Sequence, residues 1–229
     1  KRKLLVDFHG AYPPTGLNRT YPNYITQEGV MGAEYNKWSK RVTATHNVTI
    51  PFTRMVLGPI DYTPGGFRNL TPETFRIVDV PPNVQTTRGA ALAMYVVYDS
   101  PLQMVADSPD VYRGAAGFDF IREVPTSWDE TRFIAGDIGD YVVLARRKGR
   151  DWYLGAMTNE QGRNIEVPLE FLGQGRFDAE IREDGAGPAS LAEHLHAGIS
   201  STTRLKLALA PSGGAVVRFR REESARRRR

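Results

Sequence analysis

Asp7 stands where a short apolar run, Leu4-Leu5-Val6, gives way to Phe8-His9-Gly10. A carboxylate at the C-terminal end of a strand is placed for nucleophilic or general-base chemistry, because the strand fixes the side chain while the following loops form a cup around a substrate. The same position suits an Asp that merely caps the turn after it, and the residues alone leave both readings open. Asp129 and Glu130 are acidic neighbours in a loop, but Ser127-Trp128-Asp129-Glu130 reads better as a helix start or turn cap. With no cysteine in the chain, a thiol nucleophile, a thiolate metal site and disulfides are all excluded.

The elements that must position such groups fall into two kinds. Lys3 to Phe8 reads as a buried strand, and Ala11 to Asn23 as a loop rich in Pro, Gly and Asn. Gly58 to Gly66 reads as a short strand running into a loop. Thr86 to Tyr98 is apolar nearly all round and suits a helix laid on a sheet, and Leu102 to Val105 suits a further strand. Pro109 to Val124 has Val111, Ala115, Phe118 and Ile121 on one helical face. That alternation is the pattern of βαβ units around a parallel sheet.

From about Thr131 the pattern becomes antiparallel β: Tyr141 to Ala145, Trp152 to Met157 and Ile165 to Leu169, separated by Gly-bearing turns. Leu205 to Leu209 and Ala215 to Phe219, joined through Pro211-Ser212-Gly213-Gly214, read as a last hairpin. The expected architecture is therefore α/β plus all-β. Residues 1–131 would be the C-terminal half of a (β/α)8 TIM-type barrel, 132–222 an antiparallel β-sandwich, and 223–229 a disordered basic tail. A closed barrel takes about 250 residues, so the α/β part needs an N-terminal half or a complementing chain.

The formal charge of +4 arises largely from the terminal arginines. The body is close to neutral, so nucleic acid is not an expected partner. No apolar run approaches the roughly 18 residues of a membrane span, and the chain opens on Lys1-Arg2-Lys3 without a long apolar signal core, which suits a mature or truncated start. A periplasmic or secreted bacterial setting is compatible with the lack of cysteine. Three Asn-x-Thr triplets, at Asn18, Asn47 and Asn69, match a glycosylation pattern common by chance.

Pro14-Thr15-Gly16, Arg19-Thr20-Tyr21-Pro22-Asn23, Glu28 and Gly32-Ala33-Glu34-Tyr35 follow one another in an order and spacing that resembles glycoside hydrolase family 97. Pro51 to Arg54, Gly58 to Gly65, Ser100 to Met104 and Trp128 to Thr131 extend the resemblance over most of residues 1 to about 131. It implies a glycosidase with Glu34 as general acid. Such chemistry needs a second carboxyl across the sugar.

Inverting members carry Asn-x-His-Glu where this chain has Asp7-Phe8-His9-Gly10. Gly10 cannot serve as a base, whereas retaining members resemble Asp-x-His-Gly with the Asp as nucleophile. The resemblance thus implies a retaining α-glycosidase acting on an oligosaccharide or α-glycoside. An α-galactosidase is favoured; an α-glucosidase, or an inactive truncated fragment with an accessory carbohydrate-binding role, is the alternative. It further implies a Ca2+ ion with Glu28 among its ligands, although calcium wants six to eight oxygens and a solvated loop carboxylate is the plainer reading of Glu28. His9 and His46 match positions near the sugar, and Arg19 is placed to hold Glu28 or Glu34 by a charge-assisted bond.

Overall fold

The computed structural model describes residues 3–222, so the basic tail lies outside the described residues. In chain order the elements are β1 (Val6–Phe8), α1 (Leu17–Thr20), β2 (Tyr24–Gln27), α2 (Ala44–Thr49), α3 (Arg88–Val97), α4 (Pro109–Tyr112) and α5 (Phe118–Glu123). The strands β3 (Glu130–Asp137), β4 (Tyr141–Lys148), β5 (Asp151–Thr158), β6 (Arg163–Pro168), β7 (Phe177–Asp184), β8 (Leu191–Ile199), β9 (Arg204–Leu209) and β10 (Gly214–Arg221) follow. A 3-10 turn, Ala33–Lys37, carries Glu34.

Antiparallel β dominates. Six strands form one sheet in the order β3-β4-β5-β10-β7-β8, and β6 pairs with β9 in a separate two-stranded sheet. Alternation along each strand gives the large sheet two apolar faces. Val142, Leu144, Tyr153, Met157 and Val216 join the core built around α3. Val143, Ala145, Leu154, Ala156, Val217 and Phe219 join a second core closed by Val167, Leu205, Leu207 and Leu209 of the small sheet.

The helix on the first face is buried at every position, as its all-round apolar composition requires. Thr87 caps it by accepting the Ala90 N–H at 3.1 Å, and the backbone turns extended at Tyr98. The helix lies unusually close to the sheet. A methyl group on Gly155 would come within 2.9 Å of the Ala93 carbonyl oxygen, and one on Gly214 within 2.7 Å of the Ala90 Cα. Substitution at either glycine must push helix and sheet apart, at a cost of about 1–3 kcal/mol for overpacking.

Several expectations need correction. Among the described residues β1 and β2 form a short parallel pair, and no larger parallel sheet accompanies it. Pro109 to Val124 is not one helix, because Gly114 and Gly117 adopt left-handed backbone (φ 71° and 84°) between α4 and α5. Leu102 to Val105 is not a strand; the carbonyls of Leu102 and Met104 instead accept the hydroxyls of Ser100 and Tyr95. Gly58 to Gly66 is likewise irregular. Asp129 caps no helix, since its carboxylate accepts the Gly149 N–H at 2.7 Å beside the start of β3.

The expected last hairpin is absent. β9 pairs with β6, while β10 inserts between β5 and β7. The linking segment is drawn apart by its own bonds: the Ser212 N–H donates to the Asn159 carbonyl and the Ser212 carbonyl accepts the Thr87 N–H. Asp184 meanwhile accepts the N–H groups of Ala210 and Gly214.

Candidate active site

The parallel pairing of β1 with β2 puts both C-terminal ends on the same side. The ladder continues one step past β2, where the Glu28 N–H donates to the Phe8 carbonyl at 2.8 Å. Whatever follows Phe8 therefore faces whatever follows Gln27. Gly10, with φ at +66°, turns its N–H onto Glu28 Oε2 at 2.7 Å. His9 lies beside it, with Nε2 3.5 Å from Oε1 of both Glu28 and Glu34. Ligand atoms of His9, Glu28 and Glu34 all fall within 4.8 Å of one another.

Asp61 completes the arrangement. Its side chain is 4% exposed, and Oδ2 accepts His9 Nδ1–H at 2.9 Å. Its own N–H donates to the Gln27 carbonyl at 3.0 Å, and the next carbonyl, Tyr62, takes the Ala33 N–H at 2.9 Å. The residue 61–62 segment thus ties the end of β2 to the turn that bears Glu34.

The electrostatics follow from this crowding of acids. The hydrogen bond that His9 donates to Asp61 pushes the His9 pKa up, aided by the charges of Glu28, Asp61 and Glu34. Burial, followed by the charge of Asp61, pushes Asp7 up to about 6. Asp7 Oδ1 is buried without a hydrogen-bond partner, an uncommon state for a carboxylate oxygen. Asp7 falls where the β1–β2 register shifts between Val6 and Asp7, a local irregularity of the kind that re-aims a side chain.

A cleft of about 440 Å³ opens beside the cluster, walled by His9, Glu34, Lys37, Thr63, Val105 and Ser108 among others. Asp7 is not among its lining residues. Glu34 is 37% and His9 46% exposed at the side chain, whereas Glu28 is 8% exposed.

Three of the expected site residues are thus gathered, His9, Glu28 and Glu34, while Asp7 feels the charges of Asp61, His9 and Glu28 but stands outside the cleft lining. Arg19 and His46 are not gathered with them. Arg19 is exposed on α1 and, among the described residues, makes no bond to Glu28 or Glu34. A short helix turns it outward after Gly16. His46 donates Nε2–H to the Met31 carbonyl at 2.8 Å and borders a separate depression with Ile50, Phe52 and Leu57. Burial lowers its pKa, which suits a neutral, structural imidazole.

The Glu28 loop is held by Arg54 instead. This buried guanidinium donates to the carbonyls of Gln27, Glu28, Gly29, Gly58 and Pro59. Arg54 and Asp61 fall within the segments 51–54 and 58–65 that carry the family resemblance, where the sequence assigns neither a role. For Asp61 the available signal was an acid set between Pro59-Ile60 and Tyr62, since an acid in an apolar run needs a partner if it is buried.

Known proteins resemble this chain over most of its length. The family pattern described as "Glycosyl-hydrolase 97 C-terminal, oligomerisation" matches residues 127–220, and that described as "Glycoside hydrolase 97" matches residues 1–30. A protein of Bacteroides thetaiotaomicron named "Retaining alpha-galactosidase" is 42% identical over 228 residues, covering 96% of this chain and 34% of that protein. A family 97 enzyme of Pseudoalteromonas sp. strain K8, solved with acarbose and, as a variant, with panose, is 40% identical with a TM-score of 0.86. That match covers 95% of this chain and 35% of the solved one. A solved β-arabinopyranosidase is 27% identical with a TM-score of 0.79, covering 94% and 34%. The chain thus spans about a third of the length of these relatives.

Proposed function

The chain belongs to glycoside hydrolase family 97, and from that premise we propose that it is the C-terminal part of a retaining α-galactosidase. The observation that carries the reading is the convergence of Glu28, Glu34 and His9 where β1 and β2 end, next to an Asp-x-His-Gly run that offers a carboxylate at Asp7 and none at Gly10. The Bacteroides relative named as a retaining α-galactosidase supports the galactoside. An α-glucosidase is the second reading, favoured by the acarbose and panose complexes of the Pseudoalteromonas relative.

In this reading the Asp7 carboxylate attacks the anomeric carbon as the glycosidic C–O bond breaks, and Glu34 gives its proton to the leaving oxygen. Water then attacks the same carbon, Glu34 takes the proton, and the bond to Asp7 breaks. The rest of the sugar site belongs to the additional length that the relatives possess. Residues 1–131 would be the C-terminal half of a barrel whose further strands cover β1, which pairs only with β2 among the described residues and leaves Leu5 75% exposed. A periplasmic or secreted setting belongs to the same reading. The family description of the C-terminal region as an oligomerisation domain supports a second copy of the protein as partner.

Calcium fits as far as this chain goes. Glu28 and Glu34 offer two converging carboxylates, the hard oxygen donors that calcium prefers, and both would be ligands. Its remaining oxygens would come from substrate, water or segments beyond this chain. When bound, the ion would supply positive charge to this cluster of acids.

The test is the stereochemistry of the full-length enzyme on an aryl α-galactoside, followed by NMR. Release of the α-anomer first, loss of nearly all turnover in Asp7→Gly, and partial rescue by azide giving an inverted glycosyl azide support the reading. A β-anomer released first, or an Asp7→Gly enzyme that keeps substantial turnover, sinks it.

A further inference from the structure

Asp61 is buried, has its backbone tied to the end of β2, and spends one oxygen on a single side chain, His9. We propose that Asp61 is a positioning residue for catalysis: it grips Nδ1 of His9 so that the opposite ring nitrogen stays aimed between Glu28 and Glu34. The inference rests on Glu34 being the acid/base of the proposed reaction.

With Oδ2 of Asp61 as acceptor, the 2.9 Å contact puts the ring hydrogen on Nδ1. Nε2 then lies 3.5 Å from Oε1 of each glutamate. Turning the ring would leave a carboxylate oxygen of 4%-exposed Asp61 without its partner, and a buried acceptor stranded in that way is costly.

The three acids that meet at His9 are held to different degrees. Glu28 is anchored a second time, through Oε2 to the Gly10 N–H. Glu34 is more exposed, and its charged partner among the described residues is His9. The direction of the Glu34 carboxyl therefore depends on the ring, and the ring depends on Asp61.

The backbone after Asp61 is itself constrained. Thr63 takes a left-handed conformation (φ 59°) unusual for a β-branched residue, and it lines the cleft with His9 and Glu34. Strain of this kind persists where the surroundings enforce it, and it clusters at functional sites. Asp61 also acts on the other side of the site, because its charge adds to burial in raising Asp7.

The experiment uses the full-length enzyme labelled with 15N-histidine, with the His9 ring identified as the signal missing from His9→Asn. In the wild type the ring nitrogens should report a hydrogen on Nδ1. Asp61→Leu should shift that signature toward Nε2–H and lower kcat by about 10- to 100-fold with a much smaller change in KM. Asp61→Asn keeps an acceptor oxygen and should fall between the two in both readouts, which also covers the case of a poorly folding Leu variant. A wild-type ring with its hydrogen on Nε2, or variants that fold and keep both the Nδ1–H signature and wild-type kcat, would overturn the proposal. Failure of the retaining reading shows separately, in the anomer released and in Asp7→Gly, and leaves the His9 spectra as they are.

Discussion

Asp184 Oδ1 accepts the hydroxyl of Thr87 at 2.5 Å, so the last residue of β7 holds the N-cap of the helix on the facing layer. Its other oxygen takes the N–H groups of Ala210 and Gly214, each at 2.8 Å. Three donors from two parts of the chain thus meet on one carboxylate.

Asp184→Ala strands all three donors and should cost about 2–4 kcal/mol in urea unfolding, near the sum of one or two unmet buried bonds. Asn at this position can still accept the two N–H groups. Burial pushes Asp184 up to about 6, above its ordinary 3.8. The folded protein then binds the proton more tightly than the unfolded chain, so this contribution is full below about pH 4 and declines as pH rises to about 6. Asp184→Asn should remove that slope; an unchanged slope would assign it to another group.

Arg54 donates to five carbonyls and pairs with no carboxylate among the described residues. A lysine keeps the charge but cannot reach as many acceptors from one planar fork. Arg54→Lys should therefore lose about 1–3 kcal/mol of stability and loosen the Glu28 loop, read as faster amide exchange at Glu28 and Gly29. Equal stability and exchange would mean that the cage is redundant.

Glu34→Gln in the full-length enzyme should lose roughly 100-fold or more in kcat on an α-galactoside with a poor leaving group. It should lose much less on an aryl glycoside whose phenol is already acidic, because such a leaving group needs no proton. Equal losses on both substrates would remove Glu34 from the general-acid role.

Arg19 and His46 stand apart from the cluster, and their variants should say so. Arg19→Ala should leave stability within about 0.5 kcal/mol, as for other surface changes, and leave KM unchanged. His46→Leu loses the bond to the Met31 carbonyl and should lower Tm with KM unaltered. A several-fold rise in KM for either would bring that residue back to the sugar.

The part of the site that was legible in the sequence is the part written locally. His9, Glu28 and Glu34 span residues 9 to 34, and their convergence follows from one parallel strand pair and the turn after it. Asp61 and Arg54 meet that group from 26 to 52 positions away, through contacts that no local periodicity encodes. The strand pairing of the C-terminal region shows the same limit. Ala215-Val216-Val217 is apolar at consecutive positions, the mark of a strand covered on both faces, while Leu205, Leu207 and Leu209 alternate with Lys206 and Ala208 as a one-sided strand does. Short separation suggested a hairpin, although those two patterns belong to different sheets.

The position of β10 also sets an order of assembly. Its neighbours, Asp151–Thr158 and Phe177–Asp184, pair with β10 and not with each other, so the six-stranded sheet stays in two pieces until Gly214–Arg221 has been synthesised. During translation β5 and β7 each present an open edge, the kind of exposed pairing surface that recruits other chains. The closing step pairs β10 with β5 at separations such as Gly214↔Met157 and with β7 at separations such as Arg221↔Phe177, and such non-local closure is slow by nature. Nascent protein is therefore most exposed to misassociation in the interval before Gly214–Arg221 emerges.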